Sequence, residues 1–397
     1  MPANTTSISN ALVVGAGIAG CSAAISLARL GVEVTLIEKE ARWRFQSSGI
    51  FVYSNGLASM DRLGVLAEMV QAGFAIEDGR NIYLDQDGAP IVDVFYPQPK
   101  ARSAIAIPPI LGIKRAEMHR VLAARLAQLD VPIQLATTVG KLDVTASPEA
   151  AKVTLSDGTT RHFDLVLGAD GIRSATRALL FGESAPRYTG LGVWRSVHPR
   201  PPDLVAKIMM MGVGKRLGIM PISEDRLYLF GTVAEPAAAW YPREQWPAIM
   251  RARFAEFGSP ARKFLDTLSA ESEVLYTGVS EVAAPLPWHV GRSLLIGDAA
   301  HASTPFMGQG GAMAVQDGVV LANLLEAGGN VEDVLRRFGE LRYPVCKFVQ
   351  DASRRIGDAG AQEDRQACLR RDLALRQQGQ QQVDDFYREL ACLSAAV

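Results

Sequence analysis

Residues 11–38 restrict the fold of this chain more than any other stretch. An apolar run at 11–14 ends in Gly15-Ala16-Gly17-Ile18-Ala19-Gly20, after which Cys21, Ala24, Ile25, Ala28 and Leu30 recur at helical spacing. Residues 32–37 form a second apolar run, closed by Glu38. Short apolar runs on either side of a helical repeat predict strand, helix and strand. A crossover of this size is what two parallel strands need, and its hand is right. The glycines of a Gly-x-Gly-x-x-Gly turn play three different parts, giving a tight turn, close approach of backbone to a pyrophosphate, and close packing of helix on strand. The helix N-terminus then faces the phosphates. Glu38 follows Gly20 by 18 residues, where a carboxylate can accept hydrogen bonds from an adenosine ribose. Cofactor contacts are therefore expected at Gly15, Ala16, Gly17, Ala19, Gly20 and Glu38, with Lys39 beside them. The motif alone leaves open whether the adenine belongs to FAD or to NAD, since both carry the same ADP half.

The apolar stretch 11–32 is not read as a membrane span, because Gly15, Gly17, Gly20 and Arg29 interrupt it. No basic segment precedes it as in a signal peptide, and residues 1–10 are polar. With 397 residues, 48% of them hydrophobic, the chain suits two interwoven domains. Its 41 basic and 42 acidic side chains balance to a formal charge of -1, so no field gathers nucleic acid or an anionic membrane. Cys21, Cys346, Cys368 and Cys392 show no CxxC spacing and no histidine cluster, so neither a metal nor a disulfide framework is expected, and a cytoplasmic location is.

Further along, residues 114–129 predict a helix, and 153–155, 165–167 and 294–296 predict strands. Between 188 and 282 the texture changes to alternating segments such as 207–211 and 226–233, with turn residues at 223–225, which predicts an inserted antiparallel sheet. After Gly308 the pattern is helical to the end.

Two distant motifs choose between the cofactors. The run Leu294-Leu295-Ile296-Gly297-Asp298-Ala299-Ala300-His301 closes a buried strand with a Gly-Asp turn, and Pro305 and Gly308-Gln309-Gly310-Gly311 follow, opening a helix. Asp298 suits a ribityl hydroxyl, while the free amides of a helix start at Gly310 and Gly311 suit negative charge on a reduced isoalloxazine. Gly168-Ala169-Asp170-Gly171-Ile172-Arg173-Ser174 supplies another tight, charged turn.

Together these three motifs resemble the class A FAD-dependent aromatic hydroxylases, the family of para-hydroxybenzoate, salicylate and urate hydroxylases, over about residues 12–342. The resemblance implies bound FAD, NADH or NADPH as a transient co-substrate, and O2. It also implies hydroxylation of a small aromatic or heteroaromatic substrate through a hydroperoxide on the flavin. By the same resemblance Asp170 assists FAD and nicotinamide, Asp298 holds the ribityl chain, Arg115 contacts FAD, Val139 lies beside the adenine, and Gly308, Gln309, Gly310 and Gly311 serve the flavin ring. In the urate-type branch the residues matching Arg216 and Tyr228 face the substrate, and Pro305 lies near the reacting oxygen. His301, beside the Gly-Asp motif, is the remaining catalytic candidate, weighed against a structural hydrogen bond. Trp194, Arg195, Met209, Met210, Met211 and Met220 are weighed as pocket wall against core, and Arg336 and Arg337 are read as a solvated helix face or a subunit contact. The chain departs from the family where Gly311 and Ala312 follow Gly310, and where Ser47 and Ser48, with Arg44 upstream, stand in the loop that usually carries a flavin-guiding Arg.

The expected fold is α/β: a Rossmann-like FAD-binding domain (1–75, 109–185 and 286–345), an inserted antiparallel-sheet substrate domain (76–108 and 186–285), and C-terminal helices (346–397). A monomer or homodimer is expected. The rival readings are a flavin epoxidase or oxidative decarboxylase, and a non-catalytic FAD-binding sensor.

Overall fold

The computed structural model describes residues 8–42, 48–99, 105–145, 147, 149–237 and 239–395. Arg44 and Ser47 lie outside the described residues, so the expectation about a flavin-guiding loop Arg does too. The first layer is a six-stranded sheet in the order His289–Val290, Ser293–Leu295, Leu165–Gly168, Asn10–Val14, Glu33–Ile37, Ile133–Gln134. All its neighbours pair in parallel except the hairpin at His289–Val290. Ala11, Leu12, Val13, Leu165, Val166 and Leu167 are wholly buried, as strands covered on both faces require, which is why they appear as unbroken apolar runs. The helices Ile18–Arg29 and Gly310–Glu326 cover one face and cross closely. A β-carbon on Gly318 would sit 2.7 Å from the Ala23 nitrogen, so glycine sets that approach.

The second layer is a seven-stranded sheet in the order Val274–Glu281, Arg187–Pro199, Arg226–Ala234, Lys215–Pro221, Lys207–Met211, Arg80–Asp85, Pro90–Phe95. It is antiparallel apart from the pairing of Lys207–Met211 with Arg80–Asp85. Period two gives it two faces. Trp194, Met210, Leu217, Ile219, Leu227 and Leu229 pack outward against Met250, Phe254 and Phe257. The opposite face looks toward the first layer across a small sheet of Gly49–Tyr53, Ile110–Lys114 and Phe74–Ile76. The edge strand Pro90–Phe95 is covered by the last helix, Arg365–Ser394, whose Gln380 bonds both the N–H and the C=O of Phe95, so this edge offers no template for foreign strands.

The expected α/β architecture with an inserted sheet is what the chain adopts. A single helix, Val331–Gly360, runs across the expected division at 345 and 346. Phe338, Arg342, Val345, Cys346 and Val349 keep one buried stripe running through it, and Pro344 is accommodated within the helix. Among the described residues no helix is long and apolar enough to cross a membrane.

Candidate active site

A cavity of about 300 Å³ lies between the two layers. Its floor is built where several parallel strands end. Gly17, Ile18 and Ala19 come from the first turn, Ala169 and Gly171 from the second, Asp298 from the third, and Arg115 from the start of the helix Arg115–Gln128. Segments nearly three hundred residues apart thus share one concavity at the carboxyl ends of the parallel strands, where open α/β sheets bind ligands.

The three glycines of the first turn are required for different reasons. Gly15 has φ +100° and a β-carbon there would lie 2.7 Å from the Ala169 carbonyl oxygen. A β-carbon on Gly20 would overlap the Gly15 carbonyl. The fold itself demands both. Around Gly17, by contrast, a β-carbon would meet nothing within 4 Å, although Gly17 lines the cavity. Gly171 is open in the same way. Glycine at 17 keeps backbone approachable, which is what a pyrophosphate needs, whereas Gly171, at φ +80°, is also favoured by its backbone conformation. Ala16, 1% exposed, donates its N–H to Glu38 Oε2 at 2.9 Å, while Glu38 Oε1 accepts from the Glu40 N–H at 3.1 Å. Glu38 thereby braces the glycine turn from the end of the second strand.

Asp298 opens to solvent through the cavity but is walled by protein, and this confinement raises its carboxyl pKa; His301 and Arg115 partly offset the rise. At the roof, Gly308 has φ +66° and a side chain there would overlap the Phe51 ring. Beyond it the helix Gly310–Glu326 starts at the cavity wall, with Gly310 and Gly311 on the lining. The first-turn amides have no partner within the helix, and its N-terminal dipole adds about half a positive charge. Open glycines, a carboxylate for hydroxyls, Arg115 and a helix N-terminus fit the phosphates, ribityl chain and ring of an FAD.

The substrate end follows from strand register. Arg216 pairs with Thr232, and Met220 with Tyr228, so Arg216, Tyr228, Phe230 and Thr232 share the inner face. Val193 and Arg195 join them from the next strand, and all six line the cavity. Arg216 is 4% exposed and lies 4.8 Å from the Phe306 ring centroid. It makes no hydrogen bond or ion pair with any described residue, and its Nε is buried without a partner. Burial lowers its pKa to about 10, against the opposing influence of Tyr83, Tyr53 and Tyr96. Tyr228 stacks on Phe230 at 5.3 Å and rests on the Gly49 backbone; burial raises its pKa, with Arg195 opposing. Pro305 is also on the lining.

Several expected site residues lie elsewhere. His301 is buried behind the turn, donating from Nε2 to Asp317 Oδ2 at 2.7 Å, while Asp317 Oδ1 accepts from Arg342 Nε at 2.7 Å. Burial would raise the Asp317 pKa, yet His301, Arg342 and the Gly297 amide hold it at about 2. His301 is thus a core residue, correcting its candidacy as a catalyst. Asp170 turns both oxygens onto the helix Ala175–Phe181, accepting from Ser174 Oγ at 2.5 Å and Thr176 N at 2.9 Å, so its neighbours Ala169 and Gly171 face the cavity in its place. Gln309 is buried, accepting from Asn55 Nδ2 at 2.9 Å and donating to Tyr387 Oη at 3.4 Å. Val139 packs with Leu12, Val14 and Ile37 under the sheet, and Lys39 is exposed. Trp194 points outward, bonded to Glu235 Oε1 at 3.2 Å, because its strand alternates and only Arg195 can face in. Met209 and Met220 fill the inner core, Met210 the outer.

Sequence reasoning missed Phe51, Phe306, Phe230 and Thr232, all on the cavity lining. Phe230 and Thr232 were legible as the second and fourth residues beyond Tyr228 on one strand; the others come together only through tertiary packing.

The family model described as an FAD binding domain matches residues 9–353, and the chain belongs to this family, the class A FAD-dependent aromatic hydroxylases. It is 31% identical over 375 residues to the aurachin C monooxygenase/isomerase of Stigmatella aurantiaca, covering 94% of this chain and 95% of that one. It is also 31% identical over 318 residues to the FAD-dependent urate hydroxylase of Mycolicibacterium vanbaalenii, covering 78% of each. The structure of Klebsiella pneumoniae HpxO complexed with FAD and uric acid superimposes with a TM-score of 0.84 at 25% identity, covering 96% of each chain. The protein is an FAD-dependent monooxygenase that uses NAD(P)H and O2.

Proposed function

We propose that this monooxygenase hydroxylates a small aromatic or heteroaromatic ring that binds as an anion against Arg216. The observation that carries this reading is the guanidinium itself, buried and lining the cavity without a counter-charge among the described residues. Burying a charge costs several kcal/mol unless a partner compensates it, so a site that retains one is built for a partner that arrives. Similar proteins bear names that specify electron-rich rings, among them urate and 3-amino-4-hydroxybenzoate.

FAD bound here would supply, with NAD(P)H and O2, the oxidising chemistry that places an oxygen on an electron-rich ring carbon. Gly17 and Ala19 would cradle the ADP half, in a turn shaped by Gly15 and Gly20 and with Ala16 held by Glu38. Asp298 would take a ribityl hydroxyl, Arg115 would contact the cofactor, and the Gly310 and Gly311 amides would meet negative charge on the ring. Arg216 orients the substrate through paired charge-assisted hydrogen bonds. Tyr228 offers an O–H that its raised pKa keeps protonated, as a hydrogen-bond donor to the ring oxygen. Phe51, Phe230, Pro305 and Phe306 exclude water around the reacting atoms. The enzyme acts on a diffusible small molecule, as a monomer or homodimer, without nucleic acid or membrane. A cytoplasmic setting is in keeping with the four free thiols.

The test is a panel of phenols, hydroxypyridines, ring carboxylates and purine-like rings, followed by NAD(P)H oxidation with product identified by mass. Acids or enolates should be turned over in preference to uncharged isosteres. A preference for uncharged rings would overturn the reading.

A further inference from the structure

Arg216 is not the one buried cation without a carboxylate. Among the described residues the buried acids are all matched: Asp317 with Arg342, Glu235 with Arg253, and Glu281 with Arg187 and Arg354. Buried Arg177 is held by the Ile172 and Ala299 carbonyls. Lys207, 4% exposed, has no acidic partner among the described residues. Its Nζ donates to Tyr53 Oη at 3.0 Å and lies 4.5 Å from the Phe51 ring centroid, with Tyr53 and Tyr96 at 5.6 and 5.7 Å. Phe51 is the partition: one side lines the cavity, and the Lys207 ammonium rests against it.

We propose that Lys207 is a second determinant of the substrate site, a positioning residue that takes up a proton when an anionic ring binds at Arg216. The inference rests on the anionic-substrate reading given above. Ring faces and the Tyr53 oxygen favour the ammonium form. Burial opposes it, and the Arg216 charge adds to the opposition, bringing Lys207 down to about 7. The groups facing it are Tyr53 on Gly49–Tyr53, Tyr96 after Pro90–Phe95, and Asn81 and Tyr83 on Arg80–Asp85. Tyr387 on the last helix packs against Tyr53 and Tyr96, and Arg216 completes the set. The four tyrosines all have raised pKa values through burial, so Lys207 is the group in this set that titrates near neutrality. An anion beside Arg216 offsets the Arg216 share of that opposition and so favours the ammonium; the proton comes from solvent, and the ligand is then held by two charges.

The probes are benzoate and nicotinate with their uncharged amides, titrated into the FAD-loaded enzyme and read from the flavin absorbance. None of the four changes charge between about pH 6 and about pH 9. Affinity for the acids should be level below about pH 7 and fall by up to tenfold per pH unit above it. Calorimetry near pH 8 in buffers of different ionisation enthalpy should show net proton uptake on acid binding, up to about one per acid bound. Lys207→Met should flatten the acid profile and weaken acid binding at low pH, leaving the amides unchanged. Acids preferred over amides, but with a flat wild-type profile and no proton uptake, would overturn the role of Lys207 alone. So would an unchanged slope in Lys207→Met. No preference for acids over amides would overturn the anionic-substrate reading, and this inference with it.

Discussion

Replacing Arg216 by Met should stabilise the protein and disable its substrate site at once. In the fold the guanidinium pKa drops to about 10 because burial disfavours the charge. The sign follows from linkage: a cation with a depressed folded pKa costs stability at every pH below that value, and the cost fades only as pH rises above about 10. At neutral pH the full cost applies, about 3 kcal/mol at 1.36 kcal/mol per pH unit. Met keeps an unbranched stem against Gly360 and Phe306 but forfeits the cation–π contact, worth roughly 0.5–2 kcal/mol. The net gain is on the order of 1–3 kcal/mol. A chain of 397 residues has an unfolding entropy of roughly 0.8 kcal/mol per degree, so Tm should rise by about 1–4 °C. Against this, losing charge-assisted hydrogen bonds worth about 1.5–3 kcal/mol should raise the Kd of an anionic ring roughly 10- to 150-fold. Thermal unfolding and titration of the flavin-loaded variant measure both. A fall in Tm, or unchanged affinity for ring acids, would refute the reasoning.

Asp298→Ala should yield folded protein depleted of flavin, read as the ratio of visible to ultraviolet absorbance; full occupancy would remove that carboxylate from the cofactor site. Gly17→Val and Gly20→Ala should part company in the same assay. The first has room in the protein and should lose FAD while keeping its unfolding transition, whereas the second overlaps the Gly15 carbonyl and should lose the fold. Asp317→Asn strands His301 and Arg342 in the core and should cost about 3–5 kcal/mol while turnover per bound flavin stays within about twofold. Because Asp317 is held at about 2, below its unfolded value, its stabilisation is complete at neutral pH and disappears as acid brings the pH down through about 2. In acid titrations the wild type should therefore lose stability relative to Asp317→Asn only at the acid extreme.

What was legible in the sequence is what depends on local pattern. The buried strands appear as apolar runs, the first glycine turn carries its own spacing, and the alternation from 226 to 233 gives the strand that bears Tyr228. Backbone-determined positions, Gly15, Gly20 and Gly308, were readable because only glycine meets their geometry. Side-chain direction was not. Asp170, Gln309 and His301 lie within motifs whose backbones line the cavity, but each turns to satisfy a neighbouring helix or acid. Lys207 escaped notice because a lysine at a strand start reads as a solvated end; its burial arises from Phe51, Tyr53 and Tyr96, more than a hundred residues away. Trp194 and Arg195 were undecided as a pair because adjacent strand residues take opposite faces, and only the sheet shows which is inside.

The most direct test of the central claim, that one cavity holds both FAD and a ring anion, is a crystal structure of the FAD-loaded protein soaked with benzoate. The cofactor should run from Gly17 past Asp298 to the Gly310 and Gly311 amides, with the benzoate carboxylate within hydrogen-bond distance of Arg216. Cofactor density away from those residues, or a carboxylate that leaves Arg216 unpaired, would contradict the account.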